Sequence, residues 1–271
     1  MKPTFSVSTK IRSHSHIVQA AAFECFNHPR CPFKVLDVES ETFFLVVDEF
    51  KSDKPAKLFT SEAYHMLSRF LMALNIATLG HFDWDCQHTA SDAFAFVDHN
   101  QRQATHFGTK PEIYPDTKSQ LSQVDVRSAF TLCPVLMEEP EVEVQREYLK
   151  GIYHLGLKFY DLNFRKEAFF NFYRSLEFFV TRRVLKTKTL NNELKCFKKA
   201  FADLAMPAAI IDMFAEELYL LRGNQVAHAQ KQQADLQQED VVKMKMVTDA
   251  VMRKHYDSAI AKMFQQPTDA A

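Results

Sequence analysis

Five glycines in 271 residues leave this chain few places to turn sharply, and 25 phenylalanines give it much to bury. Glycine enters left-handed backbone at little steric cost, so a chain poor in it is poor in tight turns. That scarcity, with heavy use of Leu, Ala, Phe, Lys and Glu, leans toward helix. A hydrophobic content of 46% excludes a disordered chain. The length suits one large or two ordinary domains, and two are expected. No G-x-x-x-x-G-K-S/T or G-x-G-x-x-G occurs, so a P-loop or Rossmann site is not expected; H-E-x-x-H and G-x-S-x-G are absent too. On these grounds no cofactor and no metal are predicted.

No apolar run reaches the ~18 to 20 residues that cross a bilayer, and the opening MKPTFSVSTKIRSHSH lacks the apolar core of a secretory signal. A soluble, cytoplasmic protein without a membrane partner is the expectation. Cys25, Cys31, Cys86, Cys133 and Cys196 are odd in number and never spaced C-x-x-C, as for reduced thiols. The net charge is −1, but residues 1–140 carry 13 basic and 17 acidic groups and residues 141–271 carry 20 and 17. Arg182, Arg183, Lys186, Lys188, Lys195, Lys198 and Lys199 cluster in the second part against Glu193 alone. Such a patch can follow a phosphate backbone, or can be a solvated helix end and turn.

The fold class read from the chain is α+β, with a mixed domain over 1–140 and an all-α bundle over 141–271. FKVLDVESETFFLVVDEF predicts a hairpin about Glu39-Ser40-Glu41, and HIVQAAAFECF reads as strand or short helix. A helix capped by Thr60 or Ser61 follows, with Tyr64, Leu67, Leu71, Leu74 and Leu79 on one face and Gly80 at its end. DAFAFVDH alternates like a strand, and short strands are read at VDVRSAFTL and PVLM. Beyond Glu141, helices are expected over about Val144–Asp161, from an Asn163 cap to Leu185, over Leu190–Leu204, from Pro207 to Arg222, and over Gln238–Phe264. Short connections favour antiparallel neighbours.

Within this bundle, LYLLRGNQVAHAQ places Gly223 where a helix can stop and Asn224 where the next can be capped. In an unbroken helix, Arg222 and His228 would lie roughly 120° apart about the axis, so the predicted break is what would bring them together. The arginine, five residues, histidine arrangement, between AAIIDMFAEELYLLR and NQVAHAQ and after the acidic, aromatic FFNFYRSLEFFVTRRVL, resembles the R-x(4 to 6)-H signature of the HEPN superfamily. The resemblance covers about the last half of the chain; Gly223 stands where the family often has a polar residue. It implies a HEPN-like helical bundle that forms a homodimer, in many members a metal-independent endoribonuclease used in toxin, defence and RNA-processing systems. Other members are non-catalytic binding or assembly modules. RNA or a nucleotide is the partner implied, with an antitoxin or other regulatory protein as a further one.

The chemistry fits those residue types. A histidine of ordinary pKa about 6.5 can move a proton at the ribose 2′-hydroxyl or the leaving 5′-oxygen. An arginine's planar fork matches phosphate oxygens and can stabilise the pentavalent centre. Arg222, His228 and Glu177 are the candidate catalytic residues, Glu177 positioning one of the other two or pairing with Arg174 on its own helix. Asn224, Arg182, Arg183 and Lys186 are the candidate substrate-binding residues. The plainer reading has Arg222 satisfying carbonyls at a helix end and His228 as an ordinary core or surface residue. His14 with His16 reads as a solvated pair, and Asp83 with Asp85 as a surface turn.

Overall fold

The alternation of β4 (Thr42–Lys51) decides which side of the first sheet is dry: Phe43, Leu45 and Val47 point to one face and are fully buried. The computed structural model describes residues 4–27, 31–51, 56–85, 95–98, 103–106, 118–138, 142–159, 162–227 and 236–265. β4 pairs antiparallel with β1 (Thr4–Ser13) and with β3 (Phe33–Leu36), the latter forming the expected hairpin. β2 (His16–Ile17) follows β1, and β5 (Phe82–Trp84) pairs with β1, so the sheet order is β3-β4-β1-β5. Residues Ala20–Asn27 make a short 3₁₀ segment.

On the dry face lies α1 (Ala56–Thr78). It begins before Thr60 and Ser61, the expected caps, and Tyr64 within it and Leu79 just beyond it are exposed rather than inward. Leu79, not Gly80, takes the left-handed position beyond the helix, with φ 52°. Gly80 is needed for a different reason: a Cβ there would come within 2.6 Å of the His16 ring. Phe26, Phe33 and Phe70 meet at ring separations of 5.0 to 5.9 Å, joining the 3₁₀ segment, β3 and α1. Asn75 ties α1 to β5 by accepting from the Phe82 N–H and donating to the Phe82 carbonyl.

The strands expected at VDVRSAFTL and PVLM form one helix instead, α2 (Gln123–Met137). Ser122 and Asp125 close a capping box, and Val126, Ala129, Leu132, Cys133 and Leu136 bury one helical face. The start signal was stronger than the β-branched run that suggested strands. The expected strand at DAFAFVDH is present as β6 (Ala95–Asp98), paired with β7 (Gln103–His106), and β8 (Ser119–Gln120) runs parallel to β2.

Helix α3 (Val142–Gly156) buries Tyr148, Ile152 and Leu155, but stops short of Asp161, where it was expected to end. Phe159 lies in β9 (Lys158–Phe159), hairpinned with β10 (Leu162–Asn163), so Asn163 is not a cap. α4 (Arg165–Phe179) continues into a π-helical turn at Val180–Val184, and α5 (Glu193–Asp203) follows. One rod then comprises α6 (Ala208–Met213), a second π-helical turn (Phe214–Leu218) and α7 (Tyr219–Ala227). The last helix is α8 (Gln238–Gln265). The chain is therefore mixed α+β with a small antiparallel sheet and mainly helical mass. Its buried core is continuous from Ile11 to Tyr256, because α8 packs on α1 and α2 as well as on α4. Among the described residues no helix is long and apolar enough to cross a membrane.

Candidate functional site

Spacing along two helices builds the site. Tyr173 and Glu177 on α4 are four apart and Tyr219 and Arg222 on α7 three apart, so each pair shares a helix face. Between them stands Glu193, in the first turn of α5, where a carboxylate also suits the positive end of the helix. Its two oxygens collect three donors. Arg222 Nη1 lies 3.0 Å from Oε2, the Tyr173 hydroxyl donates to Oε1 at 2.7 Å, and the Tyr219 hydroxyl donates to Oε2 at 3.3 Å. The Arg222 guanidinium also lies over both rings, 5.1 Å from that of Tyr173 and 6.0 Å from that of Tyr219. An aromatic floor of Phe197, Phe201 and Phe214 supports the cluster, with Phe214 stacked on Tyr173 at 6.3 Å.

Electrostatics follow from this placing. Burial, then the nearby Glu193 charge, push the Glu177 carboxyl above its ordinary range, with Arg222 and Arg174 opposing. Burial and the hydrogen bond to Glu193 hold Tyr173 protonated far into the alkaline range, and Tyr219 is raised for the same reasons. Arg222 keeps about a third of its side-chain surface exposed, so the guanidinium stands at the mouth of the cluster. A guanidinium carries five N–H donors, and the pair with Glu193 uses its Nη1 end. The arrangement can orient an arginine toward an anion arriving from solvent while two phenols and a carboxylate hold it.

In the structure the Arg222 charge reaches Glu177, and Glu193, Tyr173 and Tyr219 gather about the same arginine. The two within-helix spacings were readable; Glu193 joins only through the tertiary fold, and its place as the one acid in a basic stretch does not point to Arg222. His228 lies outside the described residues. The predicted break at Gly223 is not there: α7 continues through Gly223 and Asn224 to Ala227, so Asn224 caps no helix. Gly223 has no left-handed φ, and a Cβ there would meet nothing within 4 Å. Glycine permits a stop without imposing one, and the buried Leu218 with the partly buried Tyr219 and Leu221 keeps the helix on the core. Of the substrate-binding candidates, Arg182 reaches back to α3, 3.1 Å from Glu143, and covers the Phe178 ring at 4.8 Å. Arg183 is half-buried, and Lys186 is exposed in the left-handed position that closes the helix end, where the Thr187 N–H donates to the Thr181 carbonyl. Lys188, Lys195, Lys198 and Lys199 are exposed around the same turn.

A second polar cluster regroups residues that the sequence paired otherwise. His14 Nε2 sits 3.0 Å from Asp83 Oδ2 and His81 Nε2 3.9 Å from it, with the two imidazoles stacked at 4.6 Å. Among the described residues this is the trio whose donor atoms, all within 4.8 Å of one another, could hold a metal ion. Burial keeps His81 neutral, its pKa well below the ordinary value. His16 instead bonds the Ser15 hydroxyl and stacks on Phe82, and Asp85 is taken by Arg12 and Lys10. His14 and Asp83 are therefore neither a solvated pair nor a surface turn.

Compared with protein-family models, curated proteins and solved structures, the chain matches none of them.

Proposed function

We propose that the chain is a HEPN-like endoribonuclease that needs no metal, with Arg222 binding and stabilising the scissile phosphate, His228 moving the proton and Glu177 positioning the pair. The observation that carries this reading is the setting of Arg222: a partly exposed guanidinium held over two tyrosine rings and against Glu193, beside a carboxyl whose pKa is raised. Such an arginine is oriented before substrate arrives, which is what electrostatic stabilisation of a pentavalent phosphorus requires. The 2′-hydroxyl is the nucleophile, so the products are a 2′,3′-cyclic phosphate and a 5′-hydroxyl, and DNA is not cut. The resemblance adds a homodimer, in which two such sites face each other across a two-fold axis, and a toxin or defence setting.

A second reading has its own support. The helix runs unbroken through Gly223, and Glu193 already occupies one end of the guanidinium. Both suit a non-catalytic HEPN-like module that binds RNA or a nucleotide, or assembles a larger complex.

Incubation of the protein with end-labelled RNA in excess chelator, followed by end-group analysis, separates the two. Cleavage should fall by roughly 10²- to 10³-fold in Arg222→Ala, the loss expected when a transition-state donor is removed, and should vanish in His228→Ala. Cleavage that survives both substitutions refutes the assigned site, and binding without cleavage selects the second reading.

A further inference from the structure

Away from Arg222 and its neighbours, β1, α1 and α3 enclose a cleft of about 660 Å³, within the ordinary size range of small-ligand sites. Four cations line it, Lys10, Arg69, Arg146 and Lys150, against one lining carboxylate, Asp85. Asp85 is shared between Lys10 and Arg12, and the buried Glu147 is shared between Arg146 at 3.3 Å and Lys150 at 3.1 Å. Positive charge is therefore in excess. Arg69 is the anomaly: it is half-buried, and among the described residues its side chain makes no hydrogen bond and no ion pair. Burial pushes its guanidinium below the ordinary value, and the nearby Cys133 thiol is the group that opposes this. A half-buried cation without a counter-charge has lost part of its hydration, and an arriving anion would relieve that cost.

The remaining lining is apolar and aromatic, with Trp84, Tyr64 and Tyr153 beside Leu149 and Val142. Tyr64 and Tyr153 are large rings left 60% and 47% exposed at the rim. Aromatic rings of this kind receive a flat ring by stacking, and a cation excess favours a doubly charged phosphate over a single carboxylate.

We propose that this cleft binds a nucleoside monophosphate, its base seated among Trp84, Tyr64 and Tyr153 and its phosphate drawn to Arg69 and the neighbouring cations. The site shares no residue with the Arg222 cluster, so it stands or falls independently of the nuclease reading. It is also built from both parts of the chain, since Arg146, Leu149 and Lys150 belong to α3.

Trp84 is the one tryptophan in the chain, so its emission reports on the cleft directly. The full chain is titrated with AMP, GMP, CMP and UMP, with adenosine, inorganic phosphate and benzoate as controls, and equilibrium dialysis of the labelled nucleotides covers a silent fluorophore. At least one nucleotide should bind saturably below millimolar concentration, and adenosine, phosphate and benzoate at least about tenfold more weakly, which is about 1.4 kcal/mol. Arg69→Met should weaken the nucleotide by about tenfold or more with an unchanged circular dichroism spectrum. Lys150→Met, a change on the exposed side of α3, should weaken it to a smaller degree. Absence of binding by both methods, equal affinity for adenosine or benzoate, or undiminished affinity in a folded Arg69→Met protein overturns the proposal.

Discussion

Three donors converge on Glu193, and the carboxyl of Glu177 lies near enough to feel its charge, so the two acids divide the work of the cluster. Glu193 is the acceptor that holds Arg222, Tyr173 and Tyr219, while Glu177 binds its proton more tightly in the folded protein than in the unfolded chain. An acid raised in this way adds stability below the ordinary carboxylate range, and that contribution is lost as pH rises through the folded pKa. Glu177→Gln removes the titration. Its stability relative to the native protein should therefore improve on going from about pH 4 to about pH 7, read as the difference in urea midpoints. A difference that is flat or runs the other way would show that the surroundings do not raise the carboxyl's pKa.

Two glycines in helices carry opposite expectations. At Gly151 of α3 an added Cβ would fall 2.7 Å from the fully buried Phe172 ring, which has no room to retreat, so α3 and α4 approach this closely because the side chain is missing. Gly151→Ala should lower stability by about 1 to 3 kcal/mol, seen as a lower melting temperature. Gly223 meets nothing, and Gly223→Ala should stabilise by up to about 1 kcal/mol through helix propensity. Destabilisation there would restore the helix break that the sequence suggested. The contrast shows how much of the fold could be read beforehand. The buried faces of α3 and α4 follow from apolar period and were legible, as were the hairpin of β3 with β4 and the start of the rod at Pro207. The extent of α7 was not, since glycine followed by asparagine is consistent with both a stop and a continuation, and packing decided. One member of the Arg222 cluster was equally out of reach, because Glu193 arrives from another helix and leaves no periodic trace.

At the scale of the molecule, α8 ties the two parts together through charge as well as packing. The buried Lys245 ammonium donates to the Gly80 carbonyl just beyond α1 and pairs with Asp249 at 2.6 Å, and the Tyr148 hydroxyl donates to the same carboxylate. Arg253 donates to the Ala77 carbonyl at 2.7 Å, so the carbonyl end of α1 is capped by cations from a helix more than a hundred residues later. Lys245→Met leaves Asp249 buried without its counter-charge and should cost about 3 to 5 kcal/mol. Trp84 emission, which follows the first part, and far-ultraviolet dichroism, dominated by the helices, should shift together in urea for this variant and for the native chain. Separate transitions would mean that the two parts are stable on their own.

The widened turn at Phe214–Leu218 carries one more consequence. Closing a hydrogen bond over five residues instead of four accommodates a surplus residue per turn, so a wheel drawn at uniform pitch from Pro207 misplaces everything beyond Leu218 by about one position, or roughly 100°. Trimming a single residue from that turn would restore the regular ladder and still leave the guanidinium of Arg222 on the side it faces now, a tolerance to shortening that an ordinary helix lacks.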